Sequence, residues 1–387
     1  MKLFTLFGIE IRLDFSVIFI FGLIVYSLGV SVFPSWHPNW PAATIWSMAL
    51  LAGLLFFASL LAHEMSHSLV AQRFGIRVPR ITLFLFGGMA EIETEARTPG
   101  AEFAIAIAGP LMSLAIAFVC LMYASSTIDE ALLEVFMEDP ETAMENVGPL
   151  VTVCLWLGTV NMMLAIFNMV PGFPLDGGRV ARAIVWRLTG DRVRATRVAA
   201  SAGRVFGWCL MGLGFWELLV LKSMGGLWLI LIGWFLSHLA TQSYAQVVTQ
   251  NALAPHTVAD LMRTHFERVD ADASVAHFVD ECLLRSSQLL WPVMAEGRCI
   301  GTASLEEVLK LPVENRASTR VGDIALSLAD SGALDAGTSA PDAMGLLASR
   351  QDRPVPVLRG GEVVGLLRGA DVLKWLTLQG GLGRLDS

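Results

Sequence analysis

His63 and His67 enclose Glu64, Met65 and Ser66 in the order H-E-x-x-H. Positions i and i+4 share one face of a helix, so the two imidazoles can hold one metal ion together. Glu64, beside the first of them, is placed to take a proton from a water on that metal. The motif lies inside an apolar run, residues 45–70, long enough to cross a bilayer. Ionisable side chains are costly there and usually functional, and three fall within five positions. The bland alternative is a pair of core histidines bonded to their neighbours. The apolar flanks exclude a soluble H-E-x-x-H hydrolase.

The elements that must position these groups are apolar spans. We expect about six, at residues 15–33, 45–74, 101–123, 149–168, 205–221 and 227–244. Residues 1–14 are amphipathic and suit an interfacial strand or helix. The prolines and tryptophans of residues 34–41 suit a headgroup-level loop, with His37 solvated in it. The fourth span breaks at Asn168-Met169-Val170-Pro171-Gly172-Phe173-Pro174-Leu175-Asp176-Gly177-Gly178. Irregular backbone at membrane depth survives only where protein buries it or where it lines a cavity. Between spans two and three, Arg77 to Ile92 is too short and too rich in β-formers to span. It reads as a hairpin with Gly87-Gly88 in the turn. Such a hairpin beside a metal site either offers an edge to an extended peptide, through Phe86, Gly87 and Gly88, or shields the site.

Seven arginines (Arg179, Arg182, Arg187, Arg192, Arg194, Arg197 and Arg204) follow span four, whereas residues 124–148 carry seven acids and no Lys or Arg. The positive-inside rule then puts the N-terminus and the basic loops in the cytoplasm. Spans two and four both run inward, which brings His63, His67 and Asp176 to similar depth near the cytoplasmic face. That favours Asp176 as the third ligand of a His-His-Asp site with one position open for water. Its alternative is a turn carboxylate capping the next helix.

Of the 387 residues 54% are hydrophobic and 16% charged, as suits a multi-spanning membrane protein with a soluble part attached. A net charge of −8 argues against nucleic acid as a partner. The five cysteines show neither metal-ligand spacing nor a disulfide framework and read as small buried side chains. From about Asn251 the composition becomes soluble and a repeat appears. Val258-Ala259-Asp260-Leu261-Met262 answers Val321-Gly322-Asp323-Ile324-Ala325. Glu307-Val308-Leu309-Lys310 answers Asp371-Val372-Leu373-Lys374. Each unit reads as strand, helix, two strands, helix.

With these motifs assembled, residues 1–244 resemble the site-2 protease family of intramembrane zinc metalloproteases. The match rests on His63-Glu64-Met65-Ser66-His67, on Phe86-Gly87-Gly88, on Ala108-Gly109-Pro110 with Ser113, and on Asn168-x-x-Pro171 through Leu175-Asp176-Gly177-Gly178. Residues 255–378 resemble a tandem pair of cystathionine-β-synthase-type (CBS) regulatory domains, at 255–312 and 318–378. The expected fold class is a polytopic α-helical membrane domain with a short β-hairpin, residues 1–250, followed by a cytoplasmic α/β tandem CBS domain, residues 251–387. Residues 124–148 are too few for the extracytoplasmic PDZ domain of other members.

The resemblance implies one zinc ion on His63, His67 and Asp176, Glu64 as general base, and Asn168 holding substrate or stabilising the oxyanion. It implies hydrolysis of a peptide bond in or beside the transmembrane segment of a membrane protein, such as a single-pass membrane-bound regulator. The chain itself would be a multi-pass protein of the cell membrane, in contact with the lipid bilayer, with its N-terminus and CBS pair cytoplasmic. Such pairs often bind ATP, ADP or AMP. Here Asp371 keeps the ribose-binding acid, Arg368 stands where Ser or Thr is usual and could meet a phosphate, and Ser304 is kept beside Glu307. A structural pair that forms a homodimer without ligand is the alternative. A rival for the whole chain is a CBS-regulated metal transporter or sensor, which needs successive polar sites across the bilayer.

Overall fold

The computed structural model describes residues 1–84, 87–91, 96–128, 144–350 and 353–378. The chain divides into two compact units, Met1–Tyr244 and Ala245–Ser387.

In the first unit, residues 1–14 form a hairpin of β1 (Lys2–Leu6) and β2 (Ile9–Leu13). It joins a second pair, β3 (Arg80–Phe84) and β4 (Gly87–Glu91), in one sheet of order β1-β2-β3-β4. The two central strands run parallel, with Ile11 opposite Ile81 and Leu13 opposite Leu83. Alternation turns Ile9, Ile11, Ile81 and Leu83 inward onto Met65, Ala71 and Ile105. Burying each such side chain contributes about 1.5–3 kcal/mol, so the sheet is fixed to the helices that carry the motif. Gly87 and Gly88 are not in the turn. They pair with Phe84 and Leu83 as the first residues of β4, and the connection, which includes Phe86, lies outside the described residues.

The helices are α1 (Phe15–Ser27), α2 (Ala42–Arg73), α3 (Pro99–Thr127), α4 (Pro149–Asn168), α5 (Asp176–Thr189), α6 (Arg192–Leu219) and α7 (Gly225–Leu253). The Asp14 side chain caps α1 by accepting from the Ser16 N–H at 2.9 Å. α2 stops where Gly75 takes φ +75° and the Ile76 N–H reaches back to the Ala71 carbonyl, a glycine-based C-cap. α3 starts at Pro99 with the Thr98 hydroxyl accepting from the Ala101 N–H.

Among the described residues five helical segments are long and apolar enough to cross a membrane: Phe15–Trp36, Ala42–Arg73, Pro99–Thr127, Pro149–Asn168 and Arg192–Leu219. The expected sixth span is also helical, as part of α7, but its polar second half, with His238, Thr241 and Gln242, keeps it outside that group. α6 and α7 meet along glycines. A Cβ on Gly207 would stand 2.5 Å from the Gly233 carbonyl oxygen, and one on Gly214 would stand 2.5 Å from that of Gly226. Small residues let membrane helices approach to backbone contact.

Three further expectations change. The arginine-rich stretch after span four is no loop: it forms α5 and the first turns of α6. His37 is buried, 1% exposed, stacked on Trp40 at 3.7 Å and paired through Nε2 with Thr152 Oγ1 at 2.8 Å. The five cysteines are free as expected, but Cys209 is exposed and the others are half-buried. Most of the acidic segment expected between spans three and four lies outside the described residues.

The second unit holds two three-stranded sheets. One contains β5 (Val269–Asp270), β6 (Trp291–Ala295) and β7 (Arg298–Ala303); the other contains β8 (Leu334–Asp335), β9 (Val355–Arg359) and β10 (Glu362–Leu367). In both, the first strand pairs parallel and the last two antiparallel. The expected repeat of strand, helix, two strands, helix is thus present twice. The opening segments are exchanged between repeats. Val258 and Leu261 pack into the core of the second sheet with Val355, Val357 and Leu367. Val321 packs into that of the first with Val293, Trp291 and Phe278.

Candidate metal centre

α2 presents His63 and His67 one turn apart on its buried face, 3% and 5% exposed. Asp176 enters from the first turn of α5, directly after the irregular 169–175 segment. Its Oδ2 lies 3.2 Å from His63 Nε2 and 3.2 Å from His67 Nε2, and the two Nε2 atoms are 3.2 Å apart. Three ligand atoms at the corners of an equilateral triangle suit one shared ion. Tetrahedral zinc with bonds of about 2.0–2.1 Å puts its ligand atoms ~3.3 Å apart, and two imidazoles with one carboxylate form a catalytic donor set that leaves a fourth position open. No other group of three such ligand atoms occurs among the described residues.

The opposite ring nitrogen fixes the tautomer of His67. His67 Nδ1–H donates to the Ile105 carbonyl at 2.6 Å. A carbonyl only accepts, so His67 Nδ1 carries the proton and Nε2 presents a lone pair. His63 Nδ1 lies 2.9 Å from Ser113 Oγ, which can accept in the same way. Outer partners of this kind orient metal-bound histidines. Both come from α3, as does the floor of the site. A Cβ on Gly109 would stand 2.6 Å from His63 Nε2 and collide with His67 Nε2, so a side chain there would fill the space between the imidazoles.

Glu64 is the neighbour of His63 on α2, and β4 lies against it. A Cβ on Gly88 would stand 2.7 Å from the Glu64 Cδ. The hairpin therefore reaches the carboxylate through a residue with no side chain. Asn168, the last residue of α4, is half-buried and makes no side-chain hydrogen bond to another described residue. Gly87 sits beside Gly88 at the start of β4.

The break before Asp176 is held by close backbone contact. A Cβ on Gly178 would overlap the Gly172–Phe173 peptide, and one on Gly203 of α6 would overlap the Phe173 carbonyl. One pairing of charged residues was not legible in the sequence. Glu102 of α3 and Arg182 of α5 form a buried ion pair 80 positions apart. Neither belongs to a local motif, and apolar neighbours gave no hint of a partner.

In the second unit Asp371 and Arg368 line one cavity of about 570 Å³ together with Arg263, Ser286, Ser287 and Gln288. Arg263 donates to Asp371 Oδ1 from Nε at 2.8 Å and from Nη2 at 2.5 Å. Ser304 lines a different cavity, of about 420 Å³, beside Glu307 and Arg353. Its hydroxyl donates to Glu307 Oε2 at 2.5 Å in a helix capping box. The three residues expected at a nucleotide are thus divided between two cavities.

Residues 51–211, which contain all three candidate ligands, match the model of Peptidase family M50. The chain is similar to Rip3 of Mycobacterium tuberculosis, named as a zinc metalloprotease, with 36% identity over 322 residues, 83% of this chain and 78% of that one. It is 32% identical over 375 residues to sll0528 of Synechocystis, also named as a zinc metalloprotease, covering 96% of this chain and 94% of the other. A solved structure, the site-2 protease from Methanocaldococcus jannaschii, matches 63% of this chain and 94% of its own, with 27% identity and a TM-score of 0.40. The chain belongs to peptidase family M50, the site-2 protease family of zinc metalloproteases.

Proposed function

We propose that this intramembrane metalloprotease hydrolyses a peptide bond within or next to the transmembrane segment of a membrane-protein substrate, such as a single-pass regulator. The observation that carries the reading is the triangle of His63 Nε2, His67 Nε2 and Asp176 Oδ2, 3.2 Å on each side, with His67 Nδ1 already committed to a carbonyl. His63, His67 and Asp176 would hold one zinc ion. Bound there, zinc polarises the scissile carbonyl and makes water a nucleophile near neutral pH.

The chain's own groups do the rest. Glu64 accepts the proton of the attacking water on its carboxylate and returns it to the leaving amine nitrogen. Asn168 is the candidate donor to the oxyanion, a role worth a few kcal/mol where such donors act. A helical substrate has its carbonyls bonded internally and must unwind to be cut. β4 is the edge of the sheet beyond β3 and lies against Glu64, so an extended strand paired there would pass the general base. Gly87 and Gly88 would leave room for it, with Phe86 in the adjoining connection. The single ligand cluster found among the described residues favours hydrolysis over metal transport.

The basic flanks of α2 and α5 support an N-terminus and a C-terminal unit in the cytoplasm. There the cavity of Arg263, Arg368 and Asp371 would take an adenine nucleotide and tune the protease, and the repeat pair would form a homodimer. If ATP, ADP and AMP each leave melting temperature and cleavage rate unchanged, nucleotide control is rejected.

Glu64→Gln is expected to keep zinc and lose cleavage, by 100-fold or more on the ~10²–10⁴ scale of general-base catalysis. Quantitative proteomics of membranes with the active chain and with Glu64→Gln should reveal an intact membrane protein accumulating with the variant. Wild-type cleavage of that protein by purified Glu64→Gln would reject the general-base role.

A further inference from the structure

We propose that Glu102 and Arg182 are positioning residues of the metal centre. Their buried pair sets α5 against α3 and so holds the Asp176 carboxylate beside the two imidazoles. The inference rests on His63, His67 and Asp176 being the metal ligands.

α3 carries what orients the histidines: the Ile105 carbonyl, Gly109 and Ser113. α5 carries Asp176 on its first turn, just past an irregular segment. The donors therefore stay 3.2 Å apart only while α5 keeps its place along α3. Glu102 lies one turn before Ile105 and is 0% exposed; Arg182 is 8% exposed. Arg182 Nε–H donates to Glu102 Oε1 at 2.6 Å, and Nη2 donates to the same oxygen. The guanidinium also lies over the Phe173 ring, 5.0 Å from its centroid. One side chain thus grips α3 and the segment that leads into Asp176.

Among the described residues no other side-chain hydrogen bond or ion pair joins α3 to α5. Glu102 Oε2 has no hydrogen-bond partner there, which adds to the desolvation cost. Apolar residues of similar volume would often be as stable as such a pair. What the pair supplies is one register between two helices.

The test uses the full chain in detergent. Zinc affinity is measured by chelator competition, and the absorption spectrum of the cobalt-substituted protein reports the ligand set. The variants are Glu102→Leu/Arg182→Met, which leaves no buried charge unpaired, Arg182→Lys, and Asp176→Ala for reference. The double variant should melt at the wild-type temperature yet bind zinc about 10- to 100-fold more weakly, the usual effect of losing a partner that orients a ligand. Its cobalt spectrum should move toward that of Asp176→Ala. A folded double variant with wild-type zinc affinity and cobalt spectrum overturns the proposal.

Should the double variant not fold, Arg182→Lys decides. It keeps the charge but loses the fork, so severalfold weaker zinc binding supports the proposal and unchanged binding overturns it. Asp176→Ala separates the two layers. If it keeps wild-type zinc binding, the ligand assignment fails. If it loses zinc while the other variants keep it, only the positioning role fails.

Discussion

His67 can offer a metal only its Nε2, because the Ile105 carbonyl holds the proton on Nδ1. At the scale of single residues the centre is built from such exclusions. Gly109 leaves the space between the imidazoles open, so Gly109→Ala should push a methyl group onto both Nε2 atoms. The expected outcome is zinc binding weakened at least tenfold by chelator competition, on the scale of changes around bound histidines, with helicity unchanged by circular dichroism. Wild-type affinity in that variant would mean that α3 is not the floor of the site. The i, i+4 histidines with Glu64 were legible because spacing alone puts them on one face. Asp176 was legible from depth. The Ile105 carbonyl was not, since a backbone acceptor has no signature in side-chain type. His37 was misread for a related reason: its partner Thr152 lies 115 positions away.

At the scale of elements the break between α4 and α5 does the positioning. Backbone packs on backbone at Gly172, Gly178 and Gly203, which aims the start of α5 at α2. Gly203→Ala should force the Phe173 carbonyl away and lower stability by about 1–3 kcal/mol, the usual cost of overpacking. A thermal melt in detergent with the midpoint unmoved would contradict this. The same reasoning applies to the seam of α6 and α7, where Gly207→Val should separate the helices at the Gly233 carbonyl. The sequence showed the glycines and prolines of the break, and hence its irregularity. It did not show that the arginines beyond it are helical, because charge in a membrane protein reads first as loop. α5 reconciles both by burying Val180 and Ala183 on one side while Arg179 is half-buried and Arg187 exposed. The hairpin was legible from its β-formers. Its turn was misplaced because Gly87-Gly88 resembles a turn pair, yet Gly88 is needed in the strand where β4 meets Glu64.

At the scale of the molecule a membrane protease unit and a unit of two α/β repeats share one chain. The repeats complete each other. Val258, fully buried, belongs to the first repeat in sequence but to the second core in space. Val258→Ala should therefore cost about 1–3 kcal/mol and speed hydrogen exchange in β8–β10 while β5–β7 exchange as before. Faster exchange confined to β5–β7 would contradict the exchange of segments. The repeat was legible from its spacing; the exchange was not, because both opening segments carry the same pattern. For the protein as a whole, the account depends on one divalent cation held by residues from α2 and α5. Elemental analysis of the purified full chain tests that most directly. The account predicts one zinc per chain in the wild type and its loss, after brief chelator treatment, in Asp176→Ala and in His63→Ala. Undiminished zinc in either variant would contradict it.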